Sequence, residues 1–226
     1  MSEVIVVKLT GKLFDEGDRE LFSSYIKVFK EVVEGGRRLV IVTGGGKLCR
    51  DYIELAERIG VRSLYILDSV GIFVTRINAY ILTHLLQPFS NTAIPKDLEE
   101  LRAIYYQKPI TVMGGVMPGQ STIATALEAA EALGSSMVVY FTTVNYIYTS
   151  DPTIDASARP LKEVKLKELK EFLKTRSLPG EYQLIDEVSA IVAERSRITI
   201  YVTKYTNPTA LLEIIRGGNP GTVVIP

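Results

Sequence analysis

The sequence predicts an α/β protein built as a three-layer αβα sandwich, with helices on both faces of a mostly parallel sheet. Two observations carry this prediction. Short β-branched runs alternate with amphipathic segments along most of the 226 residues, as in successive βαβ units. Two of the strands also end in glycine-rich turns that open helices, at residues 44–46 and 114–119. Glycine permits close approach to a ligand, and a helix N-terminus offers free N–H groups, so both turns suit phosphate.

The first part of the chain shows the alternation most clearly. Leu21, Tyr25, Phe29 and Val32 recur at helical spacing before two glycines, which predicts an amphipathic helix between two buried strands. In chain order we expect a strand at 4–9, this helix ending near 35–36, a strand at 38–43, a helix at 47–59, a strand at 63–69, a helix at about 71–86, a short strand at 92–95, a helix at 97–106, a strand at 109–113, a helix at 122–133 and a strand at 137–141.

The composition changes after Asp151 and Pro152. Residues 159–176 are rich in lysine and glutamate with alternating signs, which favours a solvated helix face over a nucleic-acid patch. A helix at 181–195, a strand at 198–203, a helix at 208–216 and a strand at 222–226 are expected to complete the chain. We find no internal repeat or clear linker, so a single domain over 1–226, divided into two lobes near residue 140, is the simplest interpretation.

Composition excludes several classes of partner. Lysine plus arginine equals aspartate plus glutamate, 26 of each, so no overall field favours nucleic acid or an anionic membrane. The longest apolar runs are far shorter than the roughly 20 residues of a membrane span. The N-terminus has no basic region of a signal peptide, and one cysteine fits a reducing compartment. We therefore expect a soluble cytoplasmic protein without nucleic-acid or membrane partners.

Cationic side chains follow the first two predicted strands. Lys8 and Lys12 flank Thr10 and Gly11 at the end of strand one, where ligands of parallel sheets bind. They are either phosphate-binding point charges or ordinary solvent-exposed lysines. Arg50 follows the first glycine turn at a distance from which it can reach a bound phosphate. Neither glycine turn matches the Walker A or GxGxxG pattern.

Other polar residues have two interpretations each. Asp68 either caps the following helix or accepts hydrogen bonds from a sugar diol. Gln120, Ser121 and Thr122 lie beside backbone N–H groups and form a neutral cradle for an anion. Without a nearby histidine, Cys49 is expected to be an inert buried thiol. His84 is expected in the core or at an interface, which leaves a histidine-based triad or metal site poorly supported.

Taken together, the segments resemble the amino acid kinase superfamily and, within it, the archaeal-type uridylate (UMP) kinases. The resemblance lies in VTGGGKLCR, LDSVGIFVTRINA, GGVMPGQSTIATA and TTVNYIYTSDP, and it extends over nearly the whole chain. Related isopentenyl phosphate kinases usually have a histidine after the GGG turn, and residues 47–50 contain none. The resemblance implies in-line phosphoryl transfer from Mg-ATP to the 5′-phosphate of UMP.

The resemblance also implies a role for each motif. The first lobe, about 1–140, would bind the acceptor and the second, about 141–226, the donor. Catalytic residues would be Lys8, Lys12 and Arg50. UMP would contact Gly45, Asp68, Val116, Met117, Pro118, Gly119, Gln120, Ser121 and Thr122. ATP would contact Lys8, Leu9, Thr10, Gly11, Lys12, Gly46, Arg50, Thr142, Thr143, Tyr148 and Asp151. Mg²⁺ would arrive with ATP rather than at a protein metal site, and the chain would form a homo-hexamer of dimers through its long helices.

The donor side departs from the family pattern. Where the family typically has T-N-V-D-G-V-Y, this chain has Thr143, Asn145 and Tyr146 in place of asparagine, aspartate and glycine. Further on, Glu187, Ser189 and Ile191 replace the usual proline, alanine and lysine. Two alternatives therefore stay open beside a UMP kinase: a catalytically weak relative that acts as a nucleotide sensor or partner subunit, and a relative that stores oxoanions.

Overall fold

A seven-stranded sheet forms the centre of the molecule in this computed structural model, which describes residues 3–150, 157–169 and 185–226. Its strand order is β3-β2-β1-β4-β8-β9-β7, and β5 pairs with β6 in a separate small sheet. The strands are β1 (Val4–Leu9), β2 (Arg38–Thr43), β3 (Ile110–Met113), β4 (Met137–Thr142), β5 (Ile147–Tyr148), β6 (Pro160–Leu161), β7 (Glu163–Lys165), β8 (Thr199–Lys204) and β9 (Thr222–Ile225).

Helices cover both faces of the sheet, which confirms the predicted three-layer sandwich. The helices with both ends among the described residues are α1 (Lys12–Glu16), α2 (Arg19–Glu34), α3 (Gly46–Arg58), α4 (Leu64–Leu85), α5 (Leu98–Ile104), α6 (Thr122–Leu133), α7 (Glu187–Arg195) and α8 (Ala210–Ile215). Residues 166–169 are also helical. On β1, Val4 and Val6 pack with α5, α6 and α7, while Ile5 and Val7 pack with α2, α4 and α8. This alternation is the period of two expected for a strand buried on both faces.

The sheet is mostly parallel, as predicted. β1 pairs in parallel with β2 and β4, and the parallel arrangement extends outward to β3 and β8. Among the paired strands of this sheet, β8 and β9 are antiparallel. The carboxyl ends of β1, β2, β3, β4 and β8 therefore meet at one edge, where parallel α/β sheets bind their ligands.

Two predicted strands in the first half are wrong. Residues 63–69 are not a strand, because α4 begins at Leu64 and Leu64 and Tyr65 are exposed. The first buried residue of this helix is Leu67. The exposed residues before it are also apolar, so the first turn has the continuous apolar run in sequence that is typical of a strand. Residues 92–95 form no strand either. Pro95 has no N–H to donate to a sheet, and Ser90 makes the bridge to Ile110 just before this segment.

The charged segment after residue 159 begins as strand, and the predicted helix is observed only from residue 166 to residue 169, where the described part ends. Val164 is buried between the exposed Glu163 and Lys165, so charges of alternating sign here mark an edge strand of period two. The predicted residues 170–176 lie outside the described part of the chain. The helix predicted at 181–195 is observed as α7 from Glu187, and residues 181–184 likewise lie outside the described part.

By length and composition, α4 is the one helix of the described residues able to cross a membrane, although 44% of its apolar window is buried inside the fold. Its buried side, with Val74, Asn78 and Leu82, follows the helical spacing of a core helix. A core helix of a soluble protein passes the same test, so this feature is weak evidence for a membrane.

Candidate active site

The loops after β1 and β2 lie against each other at the carboxyl edge of the sheet. Gly44 donates its N–H to the Leu9 carbonyl at 2.8 Å. A Cβ atom added to Gly11 would lie 1.9 Å from the Gly46 nitrogen, so no side chain fits between the two loops. The structure thus brings together the loop with Lys12 and the glycine turn before Arg50, two segments that sequence reasoning connected only through the family resemblance.

Helix α4 holds both glycine turns through two buried polar side chains. Asn78 Nδ2 donates to the Gly44 carbonyl at 2.8 Å. Thr75 Oγ1 accepts the Gly115 N–H at 2.8 Å, while the Thr75 carbonyl accepts a 2.8 Å hydrogen bond from Thr43 Oγ1. One helix therefore sets the distance between the two turns. Thr75 and Asn78 belonged to the predicted polar set around Asp68, but the sequence did not show which backbone groups they bind.

Asp68 lies in the second turn of α4 and not at a strand end. It does not cap the helix, whose N-cap is Ser63. Its Oδ2 atom accepts a 2.7 Å hydrogen bond from the Gly119 N–H, and its Oδ1 atom has no hydrogen-bond partner among the described residues. We call residues 114–122 the acceptor turn. Asp68 is in direct contact with this turn, as expected if both contact one nucleotide, which the resemblance implies.

The side chains of the acceptor turn are partly committed to protein partners. Gln120 Nε2 donates to Glu128 Oε1 at 3.0 Å, and burial raises the pKa of the Glu128 carboxyl. Ser121 caps α6 by accepting the Ala124 N–H at 3.2 Å, and its hydroxyl donates to the Asp186 carboxylate. Backbone groups and Thr122 are therefore better placed than the side chains of Gln120 and Ser121 to form the predicted cradle. Val116 and Pro118 are half-buried, and Met117 is exposed.

The N-terminus of α3 carries an acidic partner that the sequence did not reveal. Both carboxylate oxygens of Asp15, on α1, accept the Lys47 N–H at 2.7 and 2.8 Å. A Cβ atom on Gly46 would lie 2.4 Å from Asp15 Oδ1. The first turn of α3 is thus capped by a carboxylate, which supplies there the negative charge that a helix N-terminus favours. Nothing in the spacing of Asp15 and Lys47 signals this contact.

The three predicted catalytic cations differ in their surroundings. Lys8 is only 3% exposed, on β1, and its ammonium lies 4.4 Å from the centre of the Tyr140 ring. Lys12 is about half exposed and lies 3.6 Å from Glu16. Arg50 is exposed on α3, one turn after Gly46. Lys8 and Lys12 lie on either side of the β1 loop along the chain, and Arg50 follows the β2 loop by one helical turn.

The predicted donor segment follows β4. Thr142 is buried, its carbonyl accepts the Tyr205 N–H at 2.8 Å, and its hydroxyl has no hydrogen-bond partner among the described residues. Thr143 is exposed. Tyr148 lies in β5 opposite Pro160. Asp151 lies outside the described part of the chain.

Tyr146, which stands where the family usually has glycine, has a defined partner. Its hydroxyl accepts a 2.8 Å hydrogen bond from Lys162 Nζ, and the same ammonium lies 4.4 Å from the ring centre. Next to it, the Asn145 carbonyl lies 2.9 Å from where a Cβ atom of Gly221 would be. The altered residues thus contact Lys162, between β6 and β7, and Gly221, just before β9.

Cys49 and His84 take no part in a recognisable catalytic cluster. Cys49 is half-buried against Gly45 and Gly71, and burial raises the pKa of its thiol, in keeping with the predicted inert role. His84 is exposed on α4, with Nδ1 2.8 Å from the Tyr80 carbonyl, so the predicted core position is wrong and the interface remains a prediction. The described residues contain no group of three histidine, cysteine or acidic side chains arranged to hold a metal.

Comparisons with known proteins agree with this arrangement. A model of the amino acid kinase family matches residues 3–204. The uridylate kinase of Staphylothermus marinus is 44% identical over 226 residues and covers all of both chains. That of Sulfurisphaera tokodaii is 35% identical, over 98% of this chain and 99% of its own. The crystal structure of uridylate kinase from Archaeoglobus fulgidus matches with a TM-score of 0.86 at 31% identity, over 97% of this chain and 99% of its own. The chain therefore belongs to the amino acid kinase family.

Proposed function

We propose that this protein is a UMP kinase, which transfers the γ-phosphoryl group of Mg-ATP to UMP and releases UDP for pyrimidine nucleotide synthesis. The observation that carries the proposal is the contact between Asp68 and the acceptor turn, at the edge where the β1 and β2 loops meet. Its support includes full-length relatives at 44% and 35% identity that are named uridylate kinases.

The acceptor nucleotide would bind between α4 and the acceptor turn. Because Asp68 Oδ2 is held by Gly119, its Oδ1 atom is oriented and available to accept hydrogen bonds from the ribose hydroxyls. The turn itself would offer backbone donors and Thr122 to the nucleotide. Gly45 would allow the acceptor phosphate to approach the β2 loop closely.

Transfer would depend on positioning and charge neutralisation. The phosphoryl group passes between two anions, so Lys8, Lys12 and Arg50 would stabilise the charge that spreads over the equatorial oxygens. A phosphate acceptor is already ionised and needs no general base, which suits a site whose single histidine lies elsewhere on α4. The described residues offer no cluster of protein ligands for a metal, so Mg²⁺ would be held mainly by the donor phosphates, whose negative charge it neutralises.

The donor would lie beside Thr142, Thr143 and Tyr148, in the second of the two lobes. Tyr146 and its Lys162 contact occupy part of this region, and this observation favours the alternative of a slow enzyme or nucleotide-binding partner subunit. Under that alternative, Asn145→Asp combined with Tyr146→Gly should raise kcat sharply. No gain in kcat would count against an eroded donor site.

The chain would associate with itself through a surface we call the α3–α4 face. It consists of exposed apolar side chains of two neighbouring helices: Leu48, Tyr52 and Leu55 on α3, Ile59 directly after α3, and Phe73, Ile77, Tyr80 and Ile81 on α4. No residue of α3 is buried in the single chain. A face of eight exposed apolar side chains on neighbouring helices is typical of an interface. The assembly that we propose is a homo-hexamer built from such dimers in the cytoplasm.

A direct assay tests the proposed function. Purified protein is mixed with Mg-ATP and with UMP, CMP or no acceptor, and ADP release is measured. We expect ADP release that depends on UMP. No nucleoside diphosphate formed from Mg-ATP or, in a parallel reaction, from another Mg-bound nucleoside triphosphate, although UMP binds, would reject the kinase.

A further inference from the structure

Helix α1 connects a predicted catalytic lysine to a tyrosine in the other half of the molecule. Lys12 is its first residue and Glu16 its last. The Lys12 ammonium lies 3.6 Å from Glu16 Oε1, and that same oxygen accepts a 2.7 Å hydrogen bond from the Tyr205 hydroxyl. One carboxylate oxygen is therefore shared between Lys12 and Tyr205.

Tyr205 is fixed on the sheet. It follows β8 directly and is only 6% exposed. Its N–H donates to the Thr142 carbonyl at 2.8 Å, and its own carbonyl accepts a 2.6 Å hydrogen bond from the buried Tyr25 hydroxyl. Burial and the Glu16 carboxylate raise the pKa of Tyr205 to about 12, so its hydroxyl stays protonated and able to donate at neutral pH.

The other side of α1 is held by the glycine turn after β2. Asp15 accepts the Lys47 N–H at 2.7 and 2.8 Å, which ties the middle of α1 to the start of α3. The helix is thus anchored by adjacent acidic residues to two different parts of the site, Asp15 to the acceptor half and Glu16 to the donor half. A five-residue helix has little stability of its own, so these contacts set its position.

The Lys12–Glu16 pair does little for stability. Both side chains are 38–49% exposed and lie four residues apart on a helix, and such pairs contribute little. The separation of 3.6 Å also exceeds that of a charge-assisted hydrogen bond, about 2.7–2.9 Å. The Lys12 ammonium is therefore oriented by the Glu16 carboxylate, but it can leave this carboxylate to bind a phosphate oxygen.

We propose that Tyr205 and Glu16 are positioning residues that hold Lys12 at the transferred phosphate. This assignment rests on the proposed function, in which Lys12 contacts the donor phosphates. Tyr205 fixes the carboxylate, the carboxylate fixes the resting position of the ammonium, and the lysine then needs little reorganisation when the phosphoryl group transfers. Charges that are in place before the reaction stabilise its transition state most effectively.

The experiment compares Tyr205→Phe, Glu16→Ala and the double variant in steady-state kinetics with UMP and Mg-ATP. Tyr205→Phe removes one hydroxyl and leaves the buried ring, so we expect kcat to fall about tenfold from the misplaced lysine. We expect KM for UMP to stay within about twofold, because Asp68 and the acceptor turn are untouched. The loss of one hydrogen bond should lower Tm by only about 2–4 °C.

Since Tyr205 and Glu16 act through one oxygen, the double variant should be no slower than Glu16→Ala alone. Tyr106→Phe, an exposed tyrosine near the amino ends of the strands, and Glu31→Ala, in an exposed pair with Arg216, are the matched controls and should keep wild-type kcat. An active wild-type protein with unchanged kcat in Tyr205→Phe overturns the positioning role alone, as do single losses that multiply in the double variant. A wild-type protein that forms no UDP overturns the proposed function and this assignment with it.

Discussion

Single side chains at this site work by fixing backbone groups as much as by facing ligands. Asp68 shows this most clearly, since one oxygen holds Gly119 and the other is available to a nucleotide. The sequence placed Asp68 with the acceptor turn through the family resemblance, but assigned it to a strand end. Its position in the second turn of α4 depends on where that helix begins, and the apolar first turn of α4 conceals this in sequence.

Asp68→Asn should separate the two contacts of this residue. The amide oxygen of asparagine can still accept the Gly119 N–H, but the charge that would hold the ribose hydroxyls is lost. We expect KM for UMP to rise about tenfold, the value of one charge-assisted hydrogen bond, with Tm nearly unchanged. Steady-state kinetics and a thermal melt measure both. Asp18→Asn, which keeps the N-cap of α2, is the control, and an unchanged KM in Asp68→Asn would exclude the ribose contact.

Glu128 makes stability depend on pH. Burial raises the pKa of its carboxyl in the folded state, so its contribution to stability is fully present below the unfolded pKa and is lost as pH rises through the folded pKa. Above the folded-state pKa, the folded protein contains a half-buried Glu128 carboxylate, and this desolvated charge lowers the free energy of unfolding. Glu128→Gln should therefore remove this decline and increase the free energy of unfolding at neutral pH relative to wild type.

Urea titrations at a series of pH values measure the effect of Glu128→Gln. The variant keeps an oxygen for the Gln120 amide, so the acceptor turn should keep its geometry. Glu34→Gln, on the exposed end of α2, is the control and should follow the wild-type profile. A Glu128→Gln profile parallel to wild type would contradict the raised pKa.

Among the elements, α4 organises the site. Its buried polar residues hold the glycine turns of β2 and β3 together, whereas its apolar positions fill the core. The helical spacing of hydrophobic residues correctly predicted the part of this helix that follows residue 71. The hydrogen bonds that join Thr75 and Asn78 to the turns were not predictable, because these partners lie more than 30 residues away and are backbone groups that leave no pattern in sequence.

Thr75→Val should test this role of α4. The change keeps the shape but leaves the buried Gly115 N–H without its acceptor, which costs about 1–3 kcal/mol of stability. It should also raise KM for UMP, because the acceptor turn loses an anchor. The matched control is Thr83→Val on the same helix, whose buried hydroxyl has no partner among the described residues. That change should be neutral or stabilising, and equal losses in both variants would show that Thr75 contributes only packing.

At the scale of the whole molecule, the order of strands and helices was largely predictable, because alternating buried strands and amphipathic helices leave a strong periodic signal. The edge strand of the sheet, β7, was not predictable from the sequence. β7 is a three-residue strand with one buried side chain, and its charged neighbours resemble a solvated helix. The capping of α3 by Asp15 was equally hidden, since it joins α1 and α3, which only the folded sheet brings together.

The α3–α4 face predicts self-association of the whole chain. Tyr52→Glu combined with Ile77→Lys would place opposite charges on α3 and α4 within an apolar interface. We expect the assembly to dissociate into smaller species that stay folded, as measured by sedimentation velocity and circular dichroism. Tyr106→Glu places a charge at an exposed tyrosine away from this face and should leave the assembly intact. A monomeric wild-type protein would contradict the proposed interface.

Phosphorus NMR of the complete reaction tests most directly whether this site transfers phosphate to UMP. Protein, Mg-ATP and UMP are combined, and the resonances of all four nucleotides are followed with time. We predict that UMP and the γ-phosphate of ATP disappear together while UDP and ADP appear in equal amounts. ATP loss with release of inorganic phosphate, or spectra that stay unchanged although UMP binds, would contradict phosphoryl transfer to UMP.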